Sequence, residues 1–157
     1  MKNRKIHCKR TIPAVLIALA LTCLSSLMVQ AAGGGTQEGA IVGLWRAQYS
    51  GDLVYESFDQ WHSDGQEFEV ANIFGISCQG TWEGKGNNVH LFHTGWNYDA
   101  SGTLLGSFNE RQKLTVSLDG KSYDGTWILK DYDTNGNQLD ELTGTVHATR
   151  LTVDTPL

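Results

Sequence analysis

Four polar side chains fall where strand alternation would turn them into an apolar interior: His62, His93, Glu110 and Asp131. A carboxylate enclosed by apolar surface has its pKa raised and a histidine has its pKa lowered, which suits both to proton transfer near neutral pH. His93 and His62 would then be the acid and base, with Glu110 or Asp131 as orienter. Each has a plainer alternative. The carboxylates could pair with Arg111, Lys113, Lys130 or Arg150 or sit at a rim in water, and His62 could be an exposed turn histidine bonded to Asp64. His90 and His93 have the spacing of a metal pair, but an odd separation on a strand sends the two to opposite faces. There is no cysteine pair either, so neither a metal nor another cofactor is expected. Nucleophile-elbow, phosphate-loop and His-Glu-x-x-His motifs are absent, which removes the corresponding hydrolase, NTPase and metalloprotease readings.

The elements that would position these groups read as strands. Turn chemistry recurs at 63–66, 84–87, 99–102, 119–121 and 133–136, each rich in Asp, Asn and Gly. Between the turns lie runs rich in Thr, Val and aromatics with no helical period. Eight strands are expected, near 41–50, 53–62, 66–73, 77–84, 88–98, 103–117, 122–132 and 138–151. Long strands in a small chain favour an antiparallel up-and-down β-barrel, because closure leaves no edge exposed. Tyr98-Asp99-x-x-Gly102 and Tyr132-Asp133-x-x-Gly136 form a faint repeat, taken as one turn solution used twice.

Alternation also sorts the faces. Gly43, Trp45, Ala47 and Tyr49 share one, as do Cys78, Gly80 and Trp82, and Tyr123, Gly125, Trp127 and Leu129. Phe68 and Val70 are expected inward, with Glu67 and Glu69 outward. His62 shares a face with Phe58 and Gln60, and Gly95 would mark a bulge that re-aims Trp96 inward. Gly-x-Trp occurs three times, at 43–45, 80–82 and 125–127, and the glycine is read as clearance for an indole. Trp45, Phe68, Trp82, Trp96, Phe108, Tyr123 and Trp127 are the expected walls of a cavity.

The first 31 residues have the layout of a signal peptide: a basic start, an apolar run over 12–28, and small residues at Val29 and Ala31. Cleavage after Ala31 would leave a leader at 32–40, one barrel domain at 41–151 and a tail at 152–157. It would also leave seven basic residues against 17 acidic ones, a net charge of −10. Such a charge argues against nucleic acid and anionic membranes and weakly favours neutral or cationic ligands. Cys8 and Cys23 would leave with the signal, so Cys78 would have no intramolecular partner. The protein would then be periplasmic or secreted, with no stable membrane insertion.

Gly43-Leu44-Trp45 on the first strand, with Thr149-Arg150-Leu151 on the last, resembles the lipocalin pairing of Gly-x-Trp with an arginine that closes the barrel floor. The stretches 59–69, 78–82 and 93–96 are similar to a group of small exported bacterial lipocalin-like proteins. The resemblance implies a calycin-type barrel over 41–151 and specifies no activity. The first functional reading is a binding module that holds a small apolar or aromatic molecule. The second is a cofactor-free lyase, isomerase or cyclase acting on an aromatic or polyketide-like substrate. The third is an envelope protein with a filled core, acting through its surface.

Overall fold

The computed structural model describes residues 39–73 and 76–156. The expected signal peptide lies outside them. Eight strands form: β1 (Gly43–Gly51), β2 (Tyr55–Trp61), β3 (Gln66–Ala71), β4 (Ser77–Lys85), β5 (Asn88–Tyr98), β6 (Leu104–Val116), β7 (Ser122–Asp133) and β8 (Gln138–Leu151). Each pairs antiparallel with the next, and β8 returns to β1, so the sheet is a closed barrel. The fold class expected from turn spacing is the one observed. The two Tyr-Asp-x-x-Gly segments are indeed one turn used twice. In each, the Asp carboxylate accepts backbone N–H bonds from two and four residues on, and the glycine adopts a positive φ.

One end of the barrel is plugged. Trp45 is fully buried and its indole N–H donates to the Ile41 carbonyl at 2.7 Å. The Arg150 guanidinium lies 4.1 Å from the Trp45 ring centroid, a cation–π contact. The same guanidinium donates to the carbonyls of Ala40, Val42 and Gly120. Tyr123 and Trp61 complete the plug, Tyr123 tilted against Trp45 and edge-on to Trp61. The arginine closure expected from the first and last strands is therefore present.

The glycines of the three Gly-x-Trp triplets work differently from the expectation. Each clears space for a side chain on a neighbouring strand, not for its own tryptophan. A Cβ on Gly43 would lie 2.5 Å from Arg150 Nη1, one on Gly80 would lie 2.6 Å from His93 Cβ, and one on Gly125 would lie 2.6 Å from Leu114 Cδ2. The Trp127 indole rests instead over Gly144, its partner in register.

Phe68 and Val70 point outward, against expectation, and Glu67 and Glu69 are buried. The cause is the register of β3 with its neighbours. Trp61 and Asp59 of β2 face inward opposite Glu67 and Glu69, and Gly80 and Cys78 of β4 face inward opposite the same pair. In a paired ladder, residues directly opposite share a face. Two flanking strands with large inward anchors thus override the hydrophobicity of β3 itself. Trp96 also faces outward and is exposed, because the register shift falls at Asn97/Tyr98, beyond it. Gly95 serves Phe108, whose ring would lie 2.7 Å from an added Cβ.

The tightest of these clearances is at Gly144, where an added Cβ would meet Ser50 O at 2.0 Å and Trp127 Cζ2 at 2.5 Å. Gly144→Ala should therefore lower unfolding free energy by at least about 2 kcal/mol, as overpacking does. Urea unfolding followed by tryptophan fluorescence measures it, and an unchanged midpoint would refute the packing account.

Candidate functional site

The middle of the barrel carries a buried polar layer. Asp59 on β2, Glu67 and Glu69 on β3, His93 on β5, and Glu110 and Gln112 on β6 are each 1% exposed. Strand register assembles it. Glu67 opposes Gly80, Gly80 opposes His93, and His93 opposes Glu110, so one rung runs across four strands. A second rung runs from Asp59 through Glu69 to Cys78. Gly80 is what lets the first rung close up, since a Cβ there would also sit 3.0 Å from Glu67 Oε2.

His93 is the centre of the layer. Its Nδ1 lies 3.3 Å from Glu67 Oε2 and 3.4 Å from Glu69 Oε2, and its Nε2 lies 3.6 Å from Glu110 Oε1. Gln112 Nε2 donates to Glu110 Oε1 at 2.7 Å and to Tyr49 Oη at 2.9 Å. Asp59 is better satisfied: the Tyr123 hydroxyl donates to its Oδ2 at 2.5 Å and the Ser57 hydroxyl to its Oδ1. Among the described residues, Glu67 Oε1, Glu69 Oε1, His93 Nε2 and Gln112 Oε1 are buried with no hydrogen-bond partner. Native interiors leave few such atoms, because each loses its hydration without replacement.

The electrostatics follow from burial. Burial and then the charge of Glu67 raise the Asp59 carboxyl to about 7. Burial also raises Glu69 well above the usual carboxylate range, against the opposing pull of His93. Burial alone would lower His93, but the charge of Glu110, with Glu67 and Glu69, outweighs it and holds the imidazole well above its ordinary value. The Cys78 thiol is pushed up by burial, then by Glu69. Among the described residues no lysine or arginine forms an ion pair with the layer. The layer therefore retains protons, or takes a cation in their place.

At the end opposite Arg150 the barrel opens into a cavity of about 1080 Å³. Tyr55, Glu69, Cys78 and Phe108 are buried residues at its floor, and Ile73, Ile76, Leu129 and Leu142 form apolar wall. Trp96 and Tyr98 stand exposed at its rim. Among the described residues, the charged ones that line it are all acidic: Glu69, Asp99 and Asp131. Asn97 Nδ2 donates to Asp131 Oδ1 at 2.9 Å.

The structure brings His93 and Glu110 together, as alternation predicted. It separates them from the other two candidates. Asp131 lies on the cavity wall, half-buried. His62 follows β2 at the plugged end, half-buried, edge-on to Phe68 at 5.5 Å between ring centroids. Asp64 Oδ1 accepts from the Gln66 N–H, not from His62. Of the expected cavity walls, Phe108 lines the cavity floor, and Trp96, facing outward, reaches only the rim. Trp45, Tyr123 and Trp127 fill core, Trp82 is half-buried with its N–H donating to the His62 and Gln66 carbonyls, and Phe68 is on the outer face. Sequence reasoning missed Asp59, Glu67 and Glu69. The parity of Cys78 and Gly80 next door was the signal that could have found them.

Comparison with protein-family models, with curated proteins and with solved structures finds no match. The eight-stranded antiparallel barrel is consistent with a lipocalin-like fold.

The raised acids make folding take up protons. An unfolded Asp titrates near about 3.9, whereas folded Asp59 titrates at about 7. Between these values the unfolded chain has released a proton that the folded chain keeps. Stability from this group is therefore full below about pH 4 and is lost as pH rises to about 7. Glu69 and His93 shift in the same direction. In buffer with a chelator, so that no cation replaces the protons, unfolding free energy should fall on the order of 2–4 kcal/mol from pH 4.5 to 7.5, and Asp59→Asn should flatten the slope. A rise in stability over that interval would contradict this assignment.

Proposed function

We propose that this protein is an exported binding module of lipocalin-like, calycin type, whose barrel holds a small apolar or aromatic molecule, neutral or cationic, at its open end. One observation supports the reading above the others: a cavity of about 1080 Å³ with apolar walls whose charged lining is wholly acidic. Ligand cavities of roughly 300–1,000 Å³ with a few convergent polar groups are the usual form of small-molecule sites. An aromatic ring would meet Tyr55, Phe108 and Trp96, and an amine on it would face Glu69 or Asp131. A carboxylate placed beside Asp99 or Asp131 would meet like charge. Proton-transfer catalysis is the weaker reading, because neither His93 nor Glu110 lines the cavity. A general acid or base must reach the proton it moves.

Export rests on the layout of residues 1–31, with the basic start and apolar run described above. Protein recovered from a secreting host should begin at Ala32 by N-terminal sequencing. An N-terminus at Met1 on the soluble protein would remove export from the proposal.

The binding reading is tested with matched sets of hydrophobic aromatic compounds that carry an amine, no charge or a carboxylate. Amines and neutral members should quench rim tryptophan fluorescence and raise Tm, and the carboxylates should not. Leu142→Trp, which fills the cavity from a half-buried wall position, should weaken binding at least about tenfold, or about 1.4 kcal/mol. If no member of any set shifts Tm or fluorescence, the proposal fails.

A further inference from the structure

The polar layer and the cavity floor share two residues, Glu69 and Cys78. With His93 they offer an oxygen, a sulfur and a nitrogen that all lie within 4.8 Å of one another, and all three residues are buried. We propose that Glu69, Cys78 and His93 form a binding site for a divalent transition-metal ion of the zinc type.

The donor set is chemically apt. Thiolate and imidazole select zinc-like ions over magnesium and calcium, and a carboxylate commonly completes such sets. The spacing is apt too. Zinc bonds of about 2.0–2.3 Å put neighbouring tetrahedral ligands roughly 3.3–3.8 Å apart, and His93 Nδ1 already lies 3.4 Å from Glu69 Oε2. The orientation of His93 is what a metal ligand needs. Nδ1 is the nitrogen that faces Glu69, while Nε2 is left 3.6 Å from Glu110 Oε1, beyond hydrogen-bond reach, and Glu110 accepts from Gln112.

An independent observation points to something bound here. Glu69 Oε1 and Glu67 Oε1 are buried acceptors with no partner among the described residues, and they belong to side chains only 1% exposed. Burying carboxylates without a donor or cation is costly. The expectation of no metal rested on the lack of a cysteine pair and on His90 and His93, which do face opposite ways: His90 is exposed and His93 is buried. It did not weigh Glu69, which hydrophobicity had placed outside. Because Glu69 and Cys78 line the floor, the ion has an entry path through the cavity, and its remaining position can take water or a donor atom from an occupant.

Cobalt(II) is the probe. The purified protein, stripped with EDTA and dialysed, is titrated with Co²⁺ and then with Zn²⁺. One equivalent should bind with a thiolate-to-cobalt charge-transfer band in the near ultraviolet, and zinc should displace it. Cys78→Ser should abolish that band and weaken binding at least tenfold, His93→Gln and Glu69→Gln should weaken binding similarly, and His90→Ala should change neither property. Cys78→Ser replaces one atom, so it decides the matter if the other two variants do not fold. Absence of the band at excess cobalt overturns the proposal, as does a band that survives Cys78→Ser. The readout uses the metal alone, so it can succeed or fail independently of any organic molecule in the cavity.

Discussion

Closure with strict alternation is the constraint on which everything else in this molecule depends. In an open sheet an edge strand can slip by one residue and turn over. In a closed one each strand is held between two others, and its facing is decided by their anchors as much as by its own composition. β3 is the case in point. Left to its own residues it would bury Phe68 and Val70. Held between Trp61 and Asp59 on one side and Cys78 and Gly80 on the other, it buries Glu67 and Glu69. The acidic interior is thus a consequence of packing by the neighbours, and its chemistry follows from that geometry.

This explains which parts of the molecule were legible beforehand. Turn residues at regular spacing marked the hairpins, and the long β6 and β8 pointed to closure, so the barrel could be read directly. The inward facing of Trp45, Tyr49, His93, Glu110 and Trp127 followed from clear alternation on their own strands. The polar centre was half legible. His93 and Glu110 announced themselves, but Glu69 was hidden because the rule that places apolar residues inside is local and the force that inverted β3 is not. His62 and Asp131 do not join His93 and Glu110 for a different reason. Parity gives a face and not a height, and these two lie at opposite ends of the barrel.

The two halves of the interior have opposite characters. Toward Arg150 the buried rings of Trp45, Trp61 and Tyr123 pack against one another. Toward the other end, the widening mouth is lined by aliphatic side chains and a few acids. The polar layer separates them. Glycine sets the clearances in this arrangement: Gly80 lets His93 and Glu67 approach across β4, and Gly95 lets Phe108 lie across β5 at the cavity floor. Small residues at these points govern how much volume is left above the layer.

Arg150 has a role that its contacts do not state by themselves. β1 and β8 form the seam of the barrel, and both chain ends leave it at the same place, beside the Leu44–Leu151 pair. Tension between those ends would peel the seam from that point, rung by rung. The guanidinium bridges the seam at the next rung, Trp45–Arg150, and ties in the strand entry at Ala40 and Val42. Were it to let go, β1 and β8 would each present an unpaired edge, the form in which sheets join to other sheets. Arg150 therefore holds shut the seam whose parting would expose those edges, as well as capping the core.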